Sequence, residues 1–324
     1  MIDQNCQNKL KKMAYKFLIT GAHGDLGLSV AKILRKNFKD SKIFGTDIID
    51  HGPGDFIFNK IYKVPKASNK FYKKSIIKII KNKSITIPCT DSEIYFFSKN
   101  SSNKKNLILI NRNDVIELFK EKVATNIFLK KNFPNFSLKF CYKLDKSIFK
   151  KKILFPIFLK KNIGSGNKNY NKINNLKELK KIKLKSDYII QEYLHDKYDE
   201  FTSAVIRINT IKKVLIFKRK IHVLGHTYYA EIIKNKILEN KIMSIANKID
   251  LNGCINIQFK KIGNRIIIFD INPRLSSTVL FRDMVGFKDC VWWIKSLLKI
   301  NKTFKNVKIK KAKLYKSFSE SFIK

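Results

Sequence analysis

The feature that most constrains this chain lies between positions 16 and 47. A short apolar run, Lys16-Phe17-Leu18-Ile19-Thr20, meets a turn spaced Gly21-x-x-Gly24-x-x-Gly27, then a helix-period stretch over 28–34 and a second run, Lys42-Ile43-Phe44-Gly45-Thr46-Asp47. Strand, glycine turn, helix and strand in that order make a βαβ opening, which commits the start of the chain to a parallel sheet flanked by helices. An amphipathic helix at 76–80 and strands at 84–88 and 107–111 continue the alternation, so a Rossmann-like unit spans residues 16–112. Residues 1–15 read as an extension ahead of it, with Met13 a second candidate start and no signal-peptide apolar core.

Beyond residue 112 the pattern changes. One helix is expected over 114–131, leading to Pro134, and short strands with a lysine-rich connector fill 136–190. Strands are then expected at 188–194, 202–209, 214–222, 254–260 and 266–272, with helices at 238–249 and 290–298. The second unit therefore covers 113–300, divided into a small piece at 113–190 and a larger one at 191–300. Residues 301–324 form a basic, alternating tail that reads as a terminal strand or an ordered extension.

Length supports this division, since 324 residues suffice for two or three units. No apolar run approaches the roughly 20 residues of a membrane helix, so no membrane role is expected. The formal charge of +43 would point to nucleic acid, but only seven basic residues are Arg (35, 112, 207, 219, 265, 274 and 282), against 61 dispersed Lys. Readers of phosphate and base favour the bidentate Arg fork, so we read a solvated basic surface and expect no nucleic-acid partner. Five scattered cysteines without a CxxC pair fit neither a disulfide framework nor a zinc ribbon, which favours a reducing cytoplasm.

Three places carry chemistry. The run Lys160-Lys161-Asn162-Ile163-Gly164-Ser165-Gly166-Asn167-Lys168-Asn169 follows an apolar strand and could form a flap whose N–H groups and lysines meet a polyphosphate, or a plain surface hairpin. Asn256 and Gln258 share one strand face and Asp270 and Asn272 another, with Gly263-Asn264 marking the turn between them. A three-residue loop there sets Gln258 opposite Asp270 and Asn256 opposite Asn272, between Ile257, Phe259, Ile267 and Phe269. Four such oxygen-bearing side chains suit Mg²⁺, or simply satisfy one another in the core. Arg274 follows directly and could fork onto a phosphate or carboxylate. Lys218 and Lys220 alternate on one face of a strand that reads as a solvated edge, and the five histidines show no ligand or triad spacing.

The glycine turn at 21–27 alone would allow an NAD(P)-dependent epimerase or dehydrogenase. The Tyr-x-x-x-Lys pair which that chemistry needs occurs four times, where chance in a chain this rich in lysine gives about two, so it carries little information.

Taken in order, these segments resemble the ATP-grasp superfamily, in particular its carbamoyl-phosphate-synthase-like, carboxylate–amine ligase branch. The resemblance implies an α/β architecture: an ATP-grasp fold of two α+β subdomains clasping ATP, preceded by a Rossmann-like domain that holds no nicotinamide. In it Lys122-x-x-Thr125-x-x-Phe128-Leu129 and Phe155-Pro156-x-x-Leu159-Lys160 are similar to the segments bearing the two phosphate-binding lysines. Residues 164–169, with Gly164, Ser165 and Gly166, resemble the loop that closes over the triphosphate. Gln191-Glu192-Tyr193-Leu194 resembles the hinge that reads adenine through backbone and Glu192, and Glu200 the ribose-binding glutamate. Gln258, Asp270 and Asn272 are implied as Mg²⁺ ligands, with Mn²⁺ as an alternative, and Arg274, Lys160 and Asn272 as the catalytic set. Thr90-Asp91-Ser92-Glu93 resembles the loop facing the acceptor.

Departures are visible too. Asp270 is one methylene shorter than the family's usual Glu, which bears on the second metal, and the usual arginine pair is Lys218 and Lys220 here. The implied activity is Mg-dependent, ATP-driven joining of a small-molecule carboxylate to an amine or ammonia through an acylphosphate, by a cytoplasmic enzyme expected to be a symmetric dimer. A catalytically degenerate ATP-binding protein is the other outcome such departures allow.

Overall fold

The computed structural model describes residues 14–81, 85–100, 107–164, 171–183, 187–222, 225–300, 309 and 311–317. The opening βαβ forms as its pattern dictates. Strand β1 (Lys16–Thr20) buries four of its five residues, helix α1 (Asp25–Asn37) follows the glycine turn, and β2 (Lys42–Asp47) lies parallel to β1. Then come β3 (Lys60–Lys63), α2 (Tyr72–Ile80), β4 (Ile85–Ile87), α3 (Asp91–Asn100) and β5 (Leu107–Ile108). The strands make one parallel sheet in the order β3-β2-β1-β4-β5, so the chain reverses direction between β1 and β4. In such sheets ligands meet the strand ends at that reversal.

The helix expected over 114–131 is two helices, α4 (Asn113–Lys120) and α5 (Lys122–Asn132). Glu121 between them is extended and bridges Ile163, so the chain turns before α5 begins. A four-stranded antiparallel sheet follows, from β6 (Cys141–Lys143), β7 (Ile157–Lys161), β8 (Asn171–Ile173) and β9 (Tyr188–Glu192), ordered β6-β9-β7-β8 and packed with α6 (Leu176–Lys181).

The largest sheet combines β10 (Glu200–Ile208), β11 (Ile211–Ile221), β12 (Thr227–Ile233), β13 (Gly253–Ile262) and β14 (Arg265–Asn272), with α7 (Lys236–Lys248) between β12 and β13. Helices α8 (Val279–Met284) and α9 (Asp289–Leu297) follow, and β15 (Lys313–Tyr315) in the tail pairs with β12. The order is β14-β13-β10-β11-β12-β15. Strand β12 was not apparent from the sequence, and its presence makes β11 an interior strand rather than the expected solvated edge.

The two faces of this sheet differ. One is apolar over its centre: Val205, Ile216, Ile257, Phe259, Ile268 and Ile271 pack with α4, α5 and α7. On the other, Ala204, Ile206, Leu215, Phe217 and Cys254 join α1, α8 and α9 in a core shared with the parallel sheet. That core ends partway along the strands. Past it the same face carries Glu200, Thr202, Arg219, Asn256, Gln258 and Lys260, which open onto a cavity.

Candidate active site

The cavity measures about 840 Å³, and both antiparallel sheets, the start of α1 and the loop after β4 contribute to its wall. Lys122, Lys160, Gln191, Tyr193, Leu194, Glu200, Gln258, Asp270 and Arg274, all singled out from the sequence, line it. Each is set there by a local cause.

Lys122 owes its place to the break between α4 and α5. Its N–H donates to the Asn162 carbonyl at 3.1 Å, while the Asn162 side chain accepts from the Val123 N–H at 3.2 Å and donates to Glu121 at 2.9 Å. Asn162 thus caps α5 from a neighbouring segment. The Lys122 ammonium donates to the Gly164 carbonyl at 2.7 Å, where Gly164 takes a left-handed φ of +101°. Nothing in the local residue pattern marks Asn162 for this role. Ser165 and Gly166 lie outside the described residues.

Lys160 is 4% exposed, and its ammonium donates to the Phe269 carbonyl at 3.3 Å. Burial pulls its pKa down to about 8, with Lys122 adding to the fall and Asp270 opposing it. That carbonyl is available because of a bulge in the β13–β14 hairpin. The turn is two residues, Gly263-Asn264, not three, so Ile262 pairs with Arg265 and Phe259 with Ile268. One extra residue on β14, Phe269, then restores the expected pairs Gln258–Asp270 and Asn256–Asn272. The bulge places Ile267, Phe269 and Asp270 toward the cavity side while Ile268 and Ile271 stay in the core, so the expected grouping of Ile267 and Phe269 with Ile257 and Phe259 around the polar cluster is corrected: the two pairs pack into different cores. Asn272 donates to Asp270 at 2.8 Å.

Arg219, unassigned in the sequence, is the main addition. It is an interior-strand residue facing the cavity, and its side chain is 8% exposed. Its guanidinium donates to Glu200 at 2.6 and 3.1 Å and to Gln258 Oε1 at 2.8 Å. Lys218 and Lys220 point the other way: Lys218 pairs with Asp199 at 2.7 Å and Lys220 lies over the Tyr229 ring. Four consecutive apolar residues, Val214 to Phe217, hide the strand's phase, so alternation could not single out Arg219.

Glu192 also turns from the cavity, accepting from the Lys139 N–H at 2.7 Å, while Gln191, Tyr193 and Leu194 line it. Gln191 Oε1 and Asn256 Nδ2 are buried on the wall with no hydrogen-bond partner among the described residues. Lys260, also missed, donates to the carbonyls of Leu194 and His195 and so fixes the hinge. Arg274 reaches across to the parallel sheet's Asp91 at 2.5 Å. At that end Asp25, Cys89, His222, His226, Ser276 and Ser277 complete the wall, the two imidazoles stacked 4.9 Å apart.

The donor set admits a hard divalent cation. Asp270 is a carboxylate and Gln258 and Asn272 carry amide oxygens, and Mg²⁺ asks for one or two carboxylates with waters and substrate phosphates as the rest. No group of three or more His, Cys, Asp or Glu that could hold a metal occurs among the described residues. The unpartnered Gln191 oxygen at the hinge end is an acceptor that an exocyclic amine of a base would satisfy.

Two antiparallel sheets closing on a cation-lined cavity, behind a parallel sheet of the Rossmann type, define an ATP-grasp fold. Residues 185–317 match the family described as ATP-grasp in the biosynthetic pathway with Ter operon. The resemblance to the ATP-grasp superfamily thus holds in both sequence model and architecture. Similar solved structures include N5-carboxyaminoimidazole ribonucleotide synthetase from Thermotoga maritima (16% identity, TM-score 0.63, covering 89% of this chain and 76% of that one). The ADP complex of the Staphylococcus aureus N5-carboxyaminoimidazole synthetase is similar at 15% identity and TM-score 0.69, covering 88% and 78%. So is the Hydrogenobacter thermophilus 2-oxoglutarate carboxylase biotin carboxylase domain dimer with MgADP, ADP and bicarbonate, at 12% identity and TM-score 0.68, covering 88% and 70%. No curated protein matches the chain by sequence. No helix among the described residues is long and apolar enough to cross a membrane.

Proposed function

We propose that the protein is an ATP-dependent ligase that joins a small-molecule carboxylate to an amine or ammonia through an acylphosphate. One observation carries the reading: Lys122, Lys160, Arg219 and Arg274 converge with Asp270 on a single cavity between the two antiparallel sheets. A phosphoryl group in flight spreads charge over its equatorial oxygens and asks for position and cations rather than covalent help. Lys122 and Lys160 cradle the polyphosphate as point charges, and Arg274, steadied by Asp91, stands toward the transferring group. Gln191, Tyr193 and Leu194 take the base, and Glu200 the ribose. Asp270 and Asn272 would hold Mg²⁺, which when bound would supply neutralisation of phosphate charge.

The carboxylate oxygen attacks the γ-phosphorus, ADP leaves, and the amine then displaces phosphate from the acyl carbon to form the C–N bond. Water would destroy the acylphosphate, so the cavity must exclude it until the amine attacks. The acceptor lies at the end lined by Asp25, Cys89 and Ser277, beside the parallel sheet. The reading includes the boundaries at residues 112, 190 and 300, a cytoplasmic location and a symmetric dimer.

A thermal-shift panel with ATP·Mg²⁺, ADP·Mg²⁺, NAD⁺ and NADP⁺ tests it. A nucleotide at 100 times its Kd stabilises by about 2.7 kcal/mol, and the shift should require Mg²⁺ and vanish in Asp270→Ala. Phosphate release across carboxylate and amine pairs then identifies turnover. A shift with NAD⁺ or NADP⁺ alone would overturn the reading in favour of the glycine turn.

A further inference from the structure

We infer that the cavity takes one divalent cation with its nucleotide, at Asp270 and Asn272, and that the Arg219 guanidinium occupies the position a second cation would need. The inference rests on the ATP reading and extends it to the cation count. Two dications a few ångströms apart repel, and carboxylates between them must offset that repulsion. Of the carboxylates among the described residues that line the cavity, Asp196 pairs with Lys260 at 3.6 Å and Asp25 pairs with Lys316, which leaves Asp270 and Glu200 beside the hairpin's polar face. Glu200 already receives two N–H groups from Arg219, at 2.6 and 3.1 Å.

Gln258 offers no charge, and its Oε1 is the atom that accepts from Arg219 at 2.8 Å. A dication bound to that oxygen at about 2.1 Å would lie within roughly 5 Å of a nearly buried guanidinium, a contact that costs more than an amide oxygen returns. Gln258 is therefore tied to Arg219 and removed from the metal set. Asp270 remains as the cation's charged protein ligand, with Asn272 two residues on along the same face of β14, whose Oδ1 is held by Arg274 only at 3.4 Å against the 2.8 Å that ties Gln258 to Arg219. Arg219 itself is held by its strand pairing opposite Glu200, by that residue's carboxylate and by the Thr227 hydroxyl at 3.4 Å, which fixes its charge at the cavity wall. A guanidinium held in this way delivers a fixed positive charge toward the phosphates without asking for ligands.

Equilibrium dialysis of the full chain against ADP and Mn²⁺ tests this, counting the excess Mn²⁺ retained with the protein against the excess ADP. One Mn²⁺ per bound ADP is expected for the wild type and for Gln258→Glu, whose new carboxylate pairs with Arg219. The double variant Gln258→Glu/Arg219→Met supplies the carboxylate and removes the guanidinium, and two Mn²⁺ per ADP are expected. ADP affinity measured without metal and circular dichroism check that each variant is folded. Two Mn²⁺ per ADP in the wild type would overturn the inference, as would a folded, ADP-binding double variant that stays at one. A wild-type chain that fails to bind ADP would instead overturn the ATP reading, and the inference with it.

Discussion

The glycine turn at residues 21–27 and the β13–β14 hairpin each contribute residues to the wall of one cavity, and each misleads in its own direction. The turn has the more recognisable spacing, yet its glycines are consumed by the backbone. Gly21 adopts φ +61°, and a Cβ at Gly27 would lie 2.2 Å from the Gly21 carbonyl oxygen, so the spacing records how tightly α1 docks on β1. Asp47, at the end of β2, accepts from the N–H groups of His23, Ile48 and Ile49 and is occupied holding the turn in shape. The hairpin has no memorable spacing, only short polar side chains among isoleucines. Its one extra residue aims a carbonyl at Lys160 and keeps Asp270 toward the cavity. Glycine spacing here reports close packing, whereas strand phase reports chemistry.

The largest effects should separate the two regions. Asp270→Ala and Lys160→Met are each expected to lower phosphate release about 10³-fold while the melting temperature holds, because neither side chain supports the apolar core. A variant retaining full phosphate release would break the contrast from the hairpin side. Gly27→Ala is expected to do the reverse, costing about 3 kcal/mol in denaturant unfolding while the folded fraction binds nucleotide with unchanged affinity. If Gly27→Ala left stability intact and abolished nucleotide binding, the turn would belong to the site after all.

Much of the architecture was legible because order is legible: strand, turn, helix and strand at 16–47, and the polar pair of strands at 256–272, appear where pattern places them. Phase was not. Val214 to Phe217 and Ile266 to Phe269 are unbroken apolar runs, since each strand is apolar on one face and meets a second core on the other, so neither Arg219 nor the bulge at Phe269 leaves a period-two trace. The split between α4 and α5 was hidden for another reason: it is imposed by the distant Ile163 bridge and the Asn162 cap, which no local propensity encodes. Lys122, Lys160 and Asp270, singled out from the sequence, line the cavity, with their supports unseen.

Lys160 offers a smaller effect with two signs. Burial lowers its pKa to about 8, with Lys122 adding to that fall against the pull of Asp270, so the charged form dominates only below that pH. ATP affinity of the free protein should fall toward tenfold per pH unit above about 8, and Lys160→Arg, which keeps its charge, should flatten that limb. Stability moves oppositely. The folded-state pKa lies below the ordinary 10.5, so between about 8 and 10.5 the unfolded chain binds more protons and unfolding free energy rises with pH. Affinity and stability that fell together above pH 8 would place the titration elsewhere.

The smallest effect sharpens the contrast within β11 itself. Lys218 and Arg219 are neighbours in sequence and opposite in direction, the first paired with Asp199 at a half-exposed surface site and the second buried against Glu200. An exposed pair of this kind contributes about 0.5 kcal/mol or less, because solvent screens it and two long side chains must be held in place. Lys218→Ala should therefore leave denaturant stability within that margin and phosphate release within about twofold. Raising the salt should shrink even this difference, since screening at higher ionic strength acts on exposed charges first. A loss of nucleotide affinity in Lys218→Ala comparable to that in Arg219→Met would mean that the strand's phase in solution is the reverse of the one described, and would move the whole polar face with it.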